Sequence, residues 1–197
     1  DSVDVVSLMY PEALADFEVK EIEELQKNKG TKVVYTVSYD VIKKTYDQMV
    51  KDETANNENY EAPVFLTYLS ENVNKLLALS SAYNYDGIII GYKGQSTVYM
   101  NDDEKKEYLE NQARFLGDIT TWYNNNKSKM LVFEGSPQFL ADKSLLPSCK
   151  HIILNTLSVA SAQELSIQTQ EAMDTNVPTD RFIVVASTTS TDTSDKK

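Results

Sequence analysis

Six short, nearly continuous apolar runs, at residues 3–9, 32–37, 87–90, 130–133, 151–154 and 182–186, alternate with longer stretches of helical periodicity. Runs that are apolar at consecutive rather than alternate positions suit strands buried on both faces, the condition of parallel strands covered by crossover helices. The rhythm predicts an α/β fold with six parallel strands adjacent in chain order. A closed (β/α)8 barrel needs eight such units and roughly 250 residues. A TIM barrel that is incomplete in this chain, lacking its first and last strands, is therefore expected. An open doubly wound sheet is the alternative, but Leu8-Met9-Tyr10-Pro11 stands where that fold would carry a glycine-rich phosphate loop.

The helical stretches carry their own punctuation. Leu14, Phe17, Ile22 and Leu25 fall at near-helical spacing, and Lys29-Gly30 supplies a stop. Residues 41–51 form a second helical stretch, and the polar residues 52–59 read as a surface loop. Phe65, Leu69, Val73, Leu76 and Leu77 make one apolar stripe. Leu109, Ala113, Leu116 and Tyr123 make another, capped at its start by Asn101-Asp102-Asp103 and ended by Asn124-Asn125-Asn126. A last helix spans 161–173.

The chain has 197 residues, a size that suits one domain over residues 1–197, itself part of a larger barrel or protein. A net charge of −11 argues against nucleic acid as a partner, which clustered Lys and Arg would have to attract. No run approaches the roughly 20 apolar residues of a bilayer span. Cys149 and His151 are the only residues of their kinds. Cys149 reads as a small buried thiol and His151 as structural, so a zinc site is not expected and no cofactor is implied. Trp122, inside a helical pattern, reads as packing.

One strand carries more than fold information. Tyr85-Asp86-Gly87-Ile88-Ile89-Ile90-Gly91-Tyr92-Lys93 resembles the fourth barrel strand of family 18 glycoside hydrolases, the chitinases and endo-β-N-acetylglucosaminidases, which reads D-G-x-D-x-D-x-E. Asp86 and Gly87 match. Ile89 and Gly91 stand at the two inner Asp positions and Lys93 at the general acid. Strand order extends the resemblance, from the family's second strand through its seventh. Gly30 to Tyr35 looks like the glycine-led third strand, and Asn155 takes the place of the Asp in the family's sixth-strand M-x-Y-D.

The resemblance implies a degenerate glycosidase. Family 18 chemistry uses the substrate's own N-acetyl oxygen as nucleophile. It still needs an acid for the leaving oxygen and an Asp to orient the acetamido group. Lys93 would instead place positive charge beside the developing oxocarbenium ion, and loss of general acid catalysis alone removes roughly 10²–10⁴-fold in rate. The expectation is non-catalytic binding of a glycan containing N-acetylglucosamine. The similarity is to the surface glycan-foraging branch of the family, implying an extracytoplasmic place on a bacterial outer membrane, with other glycan-uptake proteins as partners. Tyr10, Tyr39, Tyr92, Lys93, Glu134 and Asn155 fall at or beyond the C-terminal ends of five strands, Tyr92 and Lys93 sharing one, and are the expected ligand contacts, the tyrosines as stacking surfaces. Two readings compete: an active endo-β-N-acetylglucosaminidase whose acid has moved to Glu134, and a protein-interaction domain on a retired barrel.

Overall fold

The structure, a computed structural model, describes residues 4–155, 161–173 and 176–185. Six strands, β1 (Val5–Leu8), β2 (Lys32–Ser38), β3 (Gly87–Tyr92), β4 (Met130–Gly135), β5 (Cys149–Leu154) and β6 (Phe182–Val184), pair in chain order. Every pairing is parallel. The sheet curls into a half-barrel, so the doubly wound alternative, whose strand order reverses partway, is excluded. Of the expected strand residues, Val3 and Ala186 lie outside the described residues.

Five α-helices are described, and they are not distributed one per crossover. Helix α1 (Asp16–Lys29) joins β1 to β2, and α4 (Asp102–Asn124) joins β3 to β4. Two helices, α2 (Tyr39–Asn56) and α3 (Phe65–Ala82), share the crossover from β2 to β3, and α5 (Ala162–Ala172) lies between β5 and β6. The connection from β4 to β5 holds only two 3-10 turns, Pro137–Phe139 and Leu146–Ser148. Six strand-and-helix units were expected, and this crossover corrects that count. Prolines at 137 and 147 work against a continuous helix there. The loop is pinned by a buried side chain instead: Gln112 Nε2 donates to the Phe139 carbonyl at 3.0 Å, and Ala141 N–H donates to Gln112 Oε1 at 2.7 Å. Leu140, Leu145 and Leu146 then cover the sheet where a helix would lie.

Local signals set the helix ends. Asn101 Oδ1 accepts the Glu104 N–H at 2.9 Å while Glu104 Oε2 accepts the Asn101 N–H at 2.9 Å, a reciprocal capping box. Gly30 closes α1 at φ +64, a conformation that disfavours a side chain. The loop expected from residue 52 begins later. Helix α2 runs on to Asn56, helped by Gln48 Nε2 donating to Asp52 Oδ1 at 2.8 Å, one turn apart.

The core lies between the outer face of the sheet and the helices. Tyr35, Tyr85, Tyr92, Phe115 and Phe133 are its largest fully buried side chains. Cys149 is buried among them, and burial pushes its thiol up to about 12, the state of an inert side chain. The inner face is thinner: Val34, Ile89 and Val132 form a separate small cluster.

Candidate functional site

Strand register sorts the side chains by face. Across the sheet, Thr36, Ile89, Val132 and His151 are register partners in one row, and Ser38, Gly91, Glu134, Ile153 and Ile183 in the next. These rows contain the Ile89 and Val132 cluster and so belong to the concave side. Ile88, Ile90 and Tyr92 belong to the other face and the main core. The three positions that resemble acid positions, Ile89, Gly91 and Lys93, therefore share the inward parity of β3.

At the C-terminal ends of β2 to β5 the concave side opens into a cleft of ≈ 420 Å³. Lys93, Glu134 and Asn155 border it together, joined by Thr36, Ser38, Asp40 and Lys44. Lys93 and Glu134 are exposed, and no ion pair joins them among the described residues. Lys93 is held through its main chain, whose N–H donates to Asp40 Oδ2 at 2.9 Å. The contact ties the segment after β3 to the first turn of α2. Asn155 is fixed similarly, its N–H donating to the Gly135 carbonyl at 3.1 Å. Gly91 leaves the floor of the cleft open: a Cβ there would lie 3.1 Å from Ser38 Cβ and 3.2 Å from Ser38 Oγ.

The three tyrosines present no ring to the cleft. Tyr92 reaches the cleft's border by its place in the strand, but its ring is 1% exposed and faces the helices. Its hydroxyl accepts from Gln112 Nε2 at 2.9 Å, and its ring stacks on Phe115 with centroids 6.1 Å apart. Burial raises its hydroxyl pKa well above the ordinary tyrosine value. A ring so enclosed has no face left for a sugar, which corrects the expected stacking role. Tyr39 packs half-buried against Phe65, Tyr92 and Phe115, and burial together with the neighbouring Asp40 pushes its hydroxyl up to about 12. Tyr10 is exposed beyond β1 and does not border the cleft. Trp122 packs against the core, as its helical position suggests.

Asp86, at the opposite end of β3, acts on the fold. Its Oδ2 accepts the Val33 N–H at 2.9 Å and Gln26 Nε2 at 2.8 Å, and Lys32 Nζ donates to its Oδ1 at 3.3 Å. Burial would raise its pKa, but these three donors outweigh it and hold the carboxyl below the ordinary value. Asp86 thus locks β2, β3 and α1 together.

Sequence reasoning missed Thr36, Ser38, Asp40 and Lys44. A signal existed for two of them. Thr36 and Ser38 alternate with the apolar Val33, Tyr35 and Val37, which marks a face of β2 turned away from the core. Asp40 and Lys44 enter only because α2 starts immediately after β2 and lays its first turns along the cleft. Chemically the cleft presents hydroxyls, an amide, two ammonium groups and two carboxylates, suited to hydrogen bonding with a hydroxyl-rich ligand.

Comparison with known proteins adds a family and a fold. The family model described as glycoside hydrolase family 18, BT1044-like, matches residues 1–197. A solved structure of BT1044, a selenomethionine-labelled Glu-to-Gln variant, is similar with a TM-score of 0.51 at 17% sequence identity. That alignment covers 93% of this chain and 57% of the BT1044 chain, so this chain spans little more than half the length of that structure. No curated protein matches.

Proposed function

The chain belongs to glycoside hydrolase family 18, in its BT1044-like group, and from that premise we propose that its C-terminal cleft binds a glycan containing N-acetylglucosamine without hydrolysing it. The observation carrying this reading is the inward parity of β3: Ile89, Gly91 and Lys93 occupy the aligned acid positions, the last two bordering the cleft, with no carboxylate among them. Glu134 is the register partner of Gly91 on the next strand, so the floor keeps one acid displaced from the usual line. Glu134 and Asp40, the latter engaged with the Lys93 N–H, can accept hydrogen bonds from sugar hydroxyls. Neither stands on β3, where the family pattern places the leaving-group acid and the Asp that orients the acetamido group.

Without an aromatic platform, recognition rests on Thr36, Ser38, Asp40, Lys93, Glu134 and Asn155. Hydrogen bonds to a largely solvated sugar give micromolar-to-millimolar affinity, roughly −4 to −8 kcal/mol. A surface location and partnership with other glycan-uptake proteins extend the same proposal. The competing reading makes Glu134 a relocated acid of an active endo-β-N-acetylglucosaminidase. Calorimetry and product analysis with N-glycans and chitooligosaccharides separate the two. We expect saturable heat without cleavage; turnover abolished by Glu134→Gln would overturn the non-catalytic reading.

A further inference from the structure

The other end of the sheet holds a site that the mouth cleft does not account for. A pocket of ≈ 500 Å³ opens at the N-terminal ends of β2, β4, β5 and β6. Four of its lining residues are cations, Lys32, Lys129, Lys150 and Arg181, and none is a carboxylate. The chain as a whole holds 30 Asp and Glu against 19 Lys and Arg, so this gathering runs against its overall charge.

Three of the four cations are held in place by the fold. Arg181 Nη1 donates to the carbonyls of Pro147 and, at 3.0 Å, Cys149. Lys129 Nζ donates to the Tyr85 carbonyl at 2.6 Å, and its other two protons have no partner among the described residues. Lys32 Nζ sits 3.3 Å from Asp86 Oδ1. The fourth, Lys150, is exposed, and its Nζ has no partner among the described residues. Among the described residues two carboxylates are paired with these cations: Asp86 on Lys32, and Asp180 with its Oδ1 3.7 Å from Arg181 Nε. Four positive charges against two negative ones leave a local excess of two. Carbonyl contacts orient a cation without neutralising it, so the ordering that an anion would otherwise impose is already in place.

We propose that this pocket is an oxyanion site that takes a phosphate or sulfate group, free or carried on a sugar or lipid headgroup. A doubly charged tetrahedral oxyanion matches the charge excess and can accept from Lys150 and Lys129 together, with the exposed Ser148 hydroxyl at the rim. The site is independent of the mouth cleft and would act on a different ligand chemistry.

Calorimetric titration of the protein with inorganic phosphate, and separately sulfate, in low-chloride buffer tests this. We expect saturable one-to-one binding that weakens as sodium chloride is added, since partly exposed charges are screened. Lys150→Gln should weaken it about tenfold, the equivalent of about 1.4 kcal/mol, with an unchanged melting temperature because Lys150 Nζ has no partner among the described residues. Lys150→Arg should restore binding, and Lys105→Gln, on α4 outside the pocket, should leave it intact. Sedimentation with phosphatidylcholine vesicles containing phosphatidylglycerol identifies the carrier. Lys150-dependent co-sedimentation assigns a lipid headgroup, and phosphate binding without it assigns a free or sugar-borne group. Absence of saturable binding to every probe, or equal losses in Lys150→Gln and Lys105→Gln, would overturn the site. Glycan binding at the mouth should be the same in Lys150→Gln and wild type, so this proposal and the glycan reading fail separately.

Discussion

Residues 88, 90 and 92 and residues 89, 91 and 93 are the two faces of a single strand, and they do opposite work. The helix-facing set, Ile88, Ile90 and Tyr92, is no more than 1% exposed, and each side chain is enclosed by the core. The inward set runs from a buried isoleucine through a bare glycine to an exposed lysine, growing more open toward the mouth. One face is filled with the largest side chains the helices can cover. The other carries a glycine and an exposed lysine where the cleft opens. The contrast teaches that packing holds both parities along Ile88 to Ile90, whereas toward the mouth only the outward side chain, Tyr92, is enclosed.

The largest effect should come from breaking the outer face. Tyr92→Ala removes a buried ring together with the acceptor of Gln112, and should cost about 3–5 kcal/mol by urea unfolding. A loss below about 1 kcal/mol would mean that the outer face is not the core described. The same face predicts alkaline sensitivity. Burial pushes Tyr85 up to about 12 and raises Tyr35 and Tyr92 further. A raised folded pKa favours the protonated form. Its contribution is complete below the ordinary tyrosine value near ~10 and is lost as pH rises through the folded values. Thermal melting across that range should show a steep decline, and a flat profile would contradict the burial.

Asp86 gives the next effect. Asp86→Asn weakens a set of charge-assisted hydrogen bonds and should cost about 1.5–3 kcal/mol at neutral pH. Because Asp86 is held below the ordinary carboxylate value, its contribution is present above that value and disappears as pH falls through the folded one. The gap between wild type and variant should therefore narrow on acidification; a pH-independent gap would show that charge is not what Asp86 contributes.

Inward changes should matter less for stability and more for chemistry. Gly91→Asp should cost about 1 kcal/mol, the low end of overpacking, because its Cβ presses on Ser38. Ser38→Gly in the same chain should relieve it, since glycine at a helix N-cap costs only a few tenths. Smallest of all, Glu134→Gln should change stability by under about 0.5 kcal/mol, as for most exposed positions. Lys93→Glu alone should yield no hydrolysis, because positions 89 and 91 still lack acids; chitinase-like turnover from that one change would break the comparison of the two faces.

How much could be read in advance differs by level. The parallel order, the caps at Asn101 and Gly30 and the burial of Cys149 were legible because each rests on local chemistry. The ligand tyrosines were not. Ile88-Ile89-Ile90 is apolar on both parities, so the run itself does not say which way Tyr92 points. The family pattern did contain the answer, since acids at 89, 91 and 93 put residue 92 on the opposite face. Between β4 and β5, Pro137 and Pro147 argued against a helix, but how the loop is held instead was hidden, because Gln112, far away in sequence, satisfies its main chain.

What the amino-acid order determined by itself is therefore the six strands, their parallel sequence and the residues Ile89, Gly91 and Lys93 on one parity of one strand. These follow from periodicity, capping and residue identity within a few positions. The tertiary structure alone decided that Asp40 and Lys44 reach the cleft beside Lys93 and Glu134, and that four cations line one pocket at the N-terminal ends of the strands. Those outcomes depend on the curl of the sheet and the angle at which each helix leaves it, and both are set by contacts between residues tens of positions apart.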